Sequence, residues 1–285
     1  MKTNIYQIVT DKVIAQLENG IVPWQRPWGG NPAYAINYIS RKPYSLLNQV
    51  LLGERQGEYL TFKQVKSLGG NIKKGAKSSF VVFYSQVPIK DENNEEKGTF
   101  PMLRYYNVYH IDDCDGIQSK YAENTRAHND PIHSAEDIIS SYVGREKTLK
   151  FINDKPSDKA YYSPCEDLVR VPMIEQYTEV GEYYSTAFHE LTHSTMIGSR
   201  CDRKSAEQIS LFGSQDYSQE ELVAEMGAAM LCNIAGINTE KVFKNSVNYI
   251  GSWLKKLKND NRFIIRASSQ AEKAVKYITN QKEEQ

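Results

Sequence analysis

The segment Ala187-Phe188-His189-Glu190-Leu191-Thr192-His193-Ser194 constrains this chain more than any other. It matches H-E-x-x-H. In an α-helix a spacing of four puts His189 and His193 on one face, one turn apart. Both imidazoles then reach a single zinc ion at about 2.0–2.1 Å. Glu190 sits beside them, where it can take a proton from a metal-activated water. The surrounding pattern predicts a helix over 181–197, preceded by strands, and the motif uses two of the five histidines. The reading is a metallopeptidase-type site holding one Zn2+ per chain, with His189 and His193 as ligands and Glu190 as catalytic base. The bland alternative is a pair of surface histidines without a metal.

Catalytic zinc keeps three protein ligands and one open position. The third ligand must come from elsewhere, and the next strong helix, predicted over 218–235, offers candidates. Glu221 and Glu225 are four apart and share a face, while Leu222, Met226 and Ala229 form an apolar one. A helix rarely directs carboxylates inward without a charge to meet. Glu221 is the first choice, which makes the site gluzincin-like, with Glu225 hydrogen-bonding a ligand histidine from behind. Glu225 itself, Asp202 and Asp216 stay open as alternatives. Glu220 is read as an exposed acid at the helix start, favoured there by the helix dipole. Tyr217 is positioned to assist. His110 ends a predicted strand and reads as structural; His128 and His133 lie in a polar stretch and are left unassigned.

The rest of the pattern predicts α+β organisation. Residues 4–18 have helical apolar spacing, closed by Gly20. Ser45–Leu52 and Thr61–Lys66 read as helices, the second closed by Gly69-Gly70. Segments 79–87 and 102–111 are rich in Val, Phe and Tyr and read as strands joined by a solvated loop over 91–97. Polar residues 112–130 mark a boundary. Beyond it come a helix over 134–142, strands within 159–171, the motif helix, and helices over 218–235, 239–257 and 267–280. The division is an N-terminal mixed α+β domain (1–118), a linker (119–132) and a helix-rich domain with a small sheet (133–285).

With 285 residues, two domains are the natural expectation. Zero net charge favours no particular partner. The four cysteines, Cys114, Cys165, Cys201 and Cys232, form no C-x-x-C pair, which argues for reduced thiols and Cys232 as core. The N-terminus lacks the pattern of a signal peptide, and no segment reaches the roughly 18 apolar residues of a membrane span. A cytoplasmic protein is expected.

Charge is uneven locally. No acidic residue lies between Glu58 and Asp91, whereas Lys63, Lys66, Lys73, Lys74, Lys77 and Lys90 do. Upstream stand Trp24, Arg26, Trp28, Tyr34, Tyr38, Arg41, Lys42 and Tyr44. Cations attract phosphates and aromatic rings stack on exposed bases, which is what a sequence-tolerant single-strand binder needs. The candidate DNA-binding residues are Trp24, Arg26, Trp28, Tyr44, Lys63, Lys66, Lys73, Lys74 and Lys77. Core packing of the aromatics and a solvated turn for the lysines form the competing reading.

Several short pieces, in order along most of the chain, resemble ArdC-type antirestriction proteins of conjugative plasmids, whose N-terminal region resembles that of certain plasmid primases. They include Pro23-Trp24-Gln25-Arg26-Pro27-Trp28, Tyr59-Leu60-Thr61-Phe62-Lys63-Gln64-Val65, Val81-Val82-Phe83-Tyr84, Tyr162-Ser163-Pro164, His189–His193, Glu220–Ala229 and Gly251-Ser252-Trp253-Leu254-Lys255. The acidic run Asp91–Glu96 departs from the pattern. The resemblance implies a single-stranded-DNA-binding domain followed by a zincin-like metallopeptidase domain, and a role in protecting incoming mobile DNA from restriction. Two other readings compete: a cytosolic zinc metallopeptidase whose N-terminal domain recognises a protein substrate, and a binding protein in which zinc is structural.

Overall fold

A computed structural model of the chain describes residues 4–19, 21–25, 35–53, 55–90, 96–120, 131–203, 215–237 and 247–281. The fold is mixed α+β, as expected, and divides into two units. Residues 1–15 and 30–124 form the first; residues 16–29 and 125–285 form the second. The sequence placed 16–29 in the first domain. By contacts in the structure they go with the second unit, where Trp24 is 1% exposed and packs edge-to-face on Trp253, ring centroids 5.3 Å apart.

Helix α1 (Ile5–Glu18) opens the chain; its residues through Ala15, with Val9 and Val13 buried, belong to the first unit. A four-stranded sheet follows, built from β1 (Ala35–Asn37), β2 (Gly57–Thr61), β4 (Ser79–Lys90) and β5 (Glu96–His110) in the order β1-β2-β5-β4. β1 and β2 are parallel, joined through helix α2 (Leu46–Leu52), and the other pairings are antiparallel. Helix α3 (Phe62–Ser67) leaves β2 directly, because Thr61 and Gln64 form a capping box. β3 (Asn71–Ile72) pairs with β6 (Cys114–Asp115). Among the described residues, this unit is held by a buried cluster of Ala35, Leu52, Tyr59, Val81 and Val108 and another of Tyr38, Leu60, Val65, Ile111 and Cys114. Buried Glu58 pairs with Arg41 and accepts from Ser119 Oγ and the Lys120 amide, fastening the chain as far as 120 to β2. His110 is structural, as read: its Nε2 lies 2.8 Å from the Gln56 carbonyl while Nδ1 accepts from the Asp112 amide.

In the second unit, helix α4 (Pro131–Arg145) precedes a three-stranded sheet of β7 (Lys150–Ile152), β8 (Tyr161–Ser163) and β9 (Leu168–Arg170), ordered β7-β9-β8. Then come α5 (Val180–Ser194), α6 (Gln215–Ala235), α7 (Val247–Asn259) and α8 (Phe263–Ile278). α6 is buried without interruption over 220–229 and runs through the core. Its Leu231 and Cys232 form one cluster with Tyr142, Val169, Tyr184, Phe188 and Leu191. The predicted helix at 239–257 is described from Val247 onward. β1, β2, β3, β6 and β7, each five residues or fewer, were not anticipated.

Candidate metal centre

α5 carries His189, Glu190 and His193, and α6 carries Glu221. The structure brings ligand atoms of His189, His193 and Glu221 within 4.8 Å of one another, the group among the described residues able to hold a metal ion. The two Nε2 atoms are 3.1 Å apart. Glu221 presents one oxygen to each ring, Oε2 at 3.5 Å from His189 Nε2 and Oε1 at 3.5 Å from His193 Nε2. His193 Nδ1 lies 3.3 Å from Glu220 Oε1. A carboxylate only accepts, so Nδ1 donates to Glu220 while Nε2 is turned toward His189 and Glu221.

The electrostatics fit a cation. Burial lowers both imidazole pKa values, but the carboxylates outweigh it: His193 is raised to about 10 through Glu220 and Glu221, and His189 is raised through Glu221. Glu221 is driven well below the usual carboxylate range, burial notwithstanding, by the two histidines. Carboxylates this buried need a compensating charge. Two imidazoles and a carboxylate around one point form a suitable donor set for a divalent ion. Glu190 is also buried; burial raises its pKa, with Glu221 adding to the rise and the histidines and the Tyr162 amide opposing it.

Glu220, read as a solvated acid, is 3% exposed. Arg203 forks onto it, Nε to Oε2 at 2.9 Å and Nη2 to Oε1 at 2.7 Å, and also donates to Thr195 Oγ1 and the Thr192 carbonyl. Glu220 thus meets the His193 imidazole on the side away from the cluster. Glu225 is buried one turn beyond Glu221, and its charge acts on His189. Asp202 is exposed and outside the cluster. The side chains of Asp216 and Tyr217 lie outside the described residues. Arg203 was missed because nothing in its local sequence distinguishes it from a surface arginine.

The two helices meet closely. A Cβ on Gly227 of α6 would stand 2.6 Å from both Cγ2 and Oγ1 of Thr192 on α5. Arg200, its side chain fully buried, reaches Glu146, the Asp167 carboxylate and the Ser194 carbonyl, fixing the C-terminal end of α5.

The candidate DNA residues separate. Lys63, Lys66, Lys73, Lys74 and Lys77 are exposed on the first unit. Trp24 is core, and Tyr44 is half-buried, edge-on to Tyr59. A ring so enclosed presents no face for stacking. Arg26 and Trp28 lie outside the described residues.

A helix bearing two imidazoles and a buried glutamate, met by a carboxylate from a second helix, defines a zincin-like centre. Residues 145–270 match the family model of zincin-like metallopeptidases, and residues 3–109 match that of the N-terminal domain of anti-restriction factor ArdC. The chain superposes on the crystal structure of the antirestriction ArdC protein from plasmid R388 in metal-free form, with TM-score 0.75, 33% identity, and coverage of 98% of this chain and 97% of that one. The Mn(II)-bound structure of that protein gives TM-score 0.75 and 32% identity over 98% of each chain. Among curated relatives, a DNA primase TraC of Escherichia coli is 29% identical over 97% of this chain, which spans 20% of that protein's length. The uncharacterized protein y4eC of Sinorhizobium fredii (strain NBRC 101917 / NGR234) is 27% identical, covering 97% of this chain and 92% of its own length. This chain belongs to the ArdC-type antirestriction family, with an ArdC N-terminal domain and a zincin-like domain. No described helix is long and apolar enough to cross a membrane.

Proposed function

We propose that this protein protects incoming mobile-element DNA from restriction in the cytoplasm, binds single-stranded DNA through its first unit, and carries in its second a zinc-dependent peptidase centre. The observation that carries the catalytic half is the convergence of His189, His193 and Glu221 beside a buried Glu190. His189, His193 and Glu221 would hold the ion. A zinc ion there would supply a Lewis acid for the scissile carbonyl and acidify water to a pKa of about 7. Glu190 takes the proton of the attacking water and returns it to the leaving amine. β8 is an edge strand of its sheet, and the Tyr162 amide reaches Glu190. An extended peptide adding to such an edge is held by main-chain hydrogen bonds. The substrate class is therefore a protein segment in extended conformation. The Mn(II) of the R388 relative makes manganese the alternative ion, since imidazole and carboxylate donors accept several.

The DNA half is supported by the exposed lysines of the acid-free stretch 59–90 and by the family. Restriction-sensitive DNA is transferred into a restricting host expressing the wild type, Glu190→Gln or Glu221→Ala, with metal content measured on each purified protein. Wild type should protect and hold about one zinc, and Glu221→Ala should lose the metal. Full protection by Glu190→Gln would remove peptide hydrolysis from the function. A wild type that binds no labelled oligonucleotide at low salt, where phosphate contacts are strongest, would remove the DNA half.

A further inference from the structure

In an antiparallel pair, residues directly opposite share a face and successive residues alternate. β4 and β5 pair Val81 with Tyr106, Val82 with Tyr105, Phe83 with Arg104 and Tyr84 with Leu103. One face therefore carries Val81, Phe83, Arg104 and Tyr106; the other carries Val82, Tyr84, Leu103 and Tyr105. Val81 and Val108 anchor the ribbon in the core of the first unit, and Val82 and Leu103 are buried on the opposite face. Beside these anchors, among and directly opposite them, other positions of the ribbon are open to solvent. Phe83 is 60% exposed, Tyr105 49%, Tyr106 46% and Tyr84 45%, and Arg104 and Asn107 are exposed too. Exposed apolar residues scattered singly need no explanation; four aromatics at adjacent positions of one ribbon do.

Two features select the occupant. β4 is the outer strand of its sheet, yet at Val82 its edge is already taken: Asn48 accepts from the Val82 amide at 2.7 Å and donates to its carbonyl at 2.8 Å. Addition of a partner strand is blocked there, which leaves the faces. The ribbon is also acid-free over the segments that carry these residues, 79–90 and 97–111, and Arg104 stands directly opposite Phe83 and two residues from Tyr106. Positions two apart on a strand lie roughly 7 Å from one another. A cation set between two exposed rings is the arrangement that stacks bases and neutralises the phosphate joining them.

We infer that the Phe83–Arg104–Tyr106 face of the β4–β5 ribbon is a base-stacking platform for single-stranded DNA. This rests on the DNA-binding half of the proposed function and replaces Trp24 and Tyr44 as its aromatic component. Anisotropy titrations of a fluorescein-labelled thymidine oligonucleotide at several salt concentrations test it on the full-length protein. Phe83→Ala and Tyr106→Ala should each weaken binding about 5- to 100-fold, the range set by stacking one base, with the salt slope unchanged. Tyr106→Phe should restore affinity, because the ring and not the hydroxyl stacks. Arg104→Ala should flatten the slope of log K against log salt by about 0.7. Tyr84→Ala, on the other face, should bind as wild type. Unchanged circular dichroism establishes that each variant is folded. If wild type binds and Phe83→Ala and Tyr106→Ala bind equally well, the platform is refuted while the DNA-binding reading stands. If wild type binds nothing, both fall. A loss confined to Tyr84→Ala also overturns the assignment of the face.

Discussion

Glu220 and Arg203 show how much one buried pair governs at the centre. Both are almost fully enclosed, and the guanidinium meets the carboxylate in a fork. The pair holds the proton of His193 on Nδ1 and so aims Nε2 at the cluster. Removing one partner leaves an uncompensated buried charge, which costs about 3–5 kcal/mol. Arg203→Met should lower stability to urea by that amount. The double variant Arg203→Met with Glu220→Leu should recover most of it. Its metal affinity by isothermal titration should nevertheless stay about 10- to 100-fold weaker, because His193 has lost its orienting acceptor. Equal metal affinity in the double variant would show the pair to be structural only. That His189 and His193 would share one face of α5 beside Glu190 was readable, because helical spacing alone sets it. Glu220 was misread because an acid near a helix start favours the dipole in solvent and in the core alike. Only Arg203, seventeen residues upstream, distinguishes the two cases.

At the scale of elements, the site depends on how closely α5 and α6 approach. Gly→Ala inside a helix ordinarily gains about 0.5–1 kcal/mol of propensity. At Gly227 the added Cβ would stand 2.6 Å from two atoms of the Thr192 side chain, and overpacking of this kind costs about 1–3 kcal/mol. The steric effect wins. Gly227→Ala should be less stable and should bind metal more weakly, because Glu221 moves away with its helix. Thr192→Ala added to Gly227→Ala should recover both, and a double-mutant cycle should give a coupling of the same order. Additive effects would mean that the helices do not press together there. The long helices were legible from periodicity. β1, β3, β6 and β7, two or three residues each, were not: such strands show no alternation to detect, and their partners lie far along the chain.

Across the second unit, Arg200 joins the end of α4, the turn before β9 and the C-terminal end of α5 through Glu146, Asp167 and Ser194. Burial raises the Asp167 pKa, but hydrogen bonds from Arg200, Thr148 and Tyr162 outweigh it and hold the carboxyl below its ordinary value. A depressed carboxylate contributes stability that is present above its unfolded pKa of about 3.9 and lost as pH falls through the folded one. Acid unfolding of wild type should therefore steepen below about pH 4. Asp167→Asn should be less stable at pH 7 and lose part of that dependence. Asp167 has φ 46°, a conformation asparagine tolerates, so the substitution tests charge and not backbone. A metal bound between α5 and α6 would stabilise the same unit by mass action, worth about 4 kcal/mol at a thousandfold excess over Kd. Trp24 and Trp253 both belong to this unit, so tryptophan fluorescence should report a lower melting temperature in chelator. No shift would mean that no ion bridges α5 and α6.

What the sequence determined by itself was whatever is local or periodic: the metal motif, the main helices, the two long strands, the acid-free lysine stretch and the order of family motifs. Tertiary structure decided which charges are buried and which rings are free. It enclosed Trp24 against Trp253 and Glu220 against Arg203, and left Phe83 and Tyr106 in solvent. The physical reason is that burial belongs to a residue's neighbours in space, and those neighbours come from distant parts of the chain.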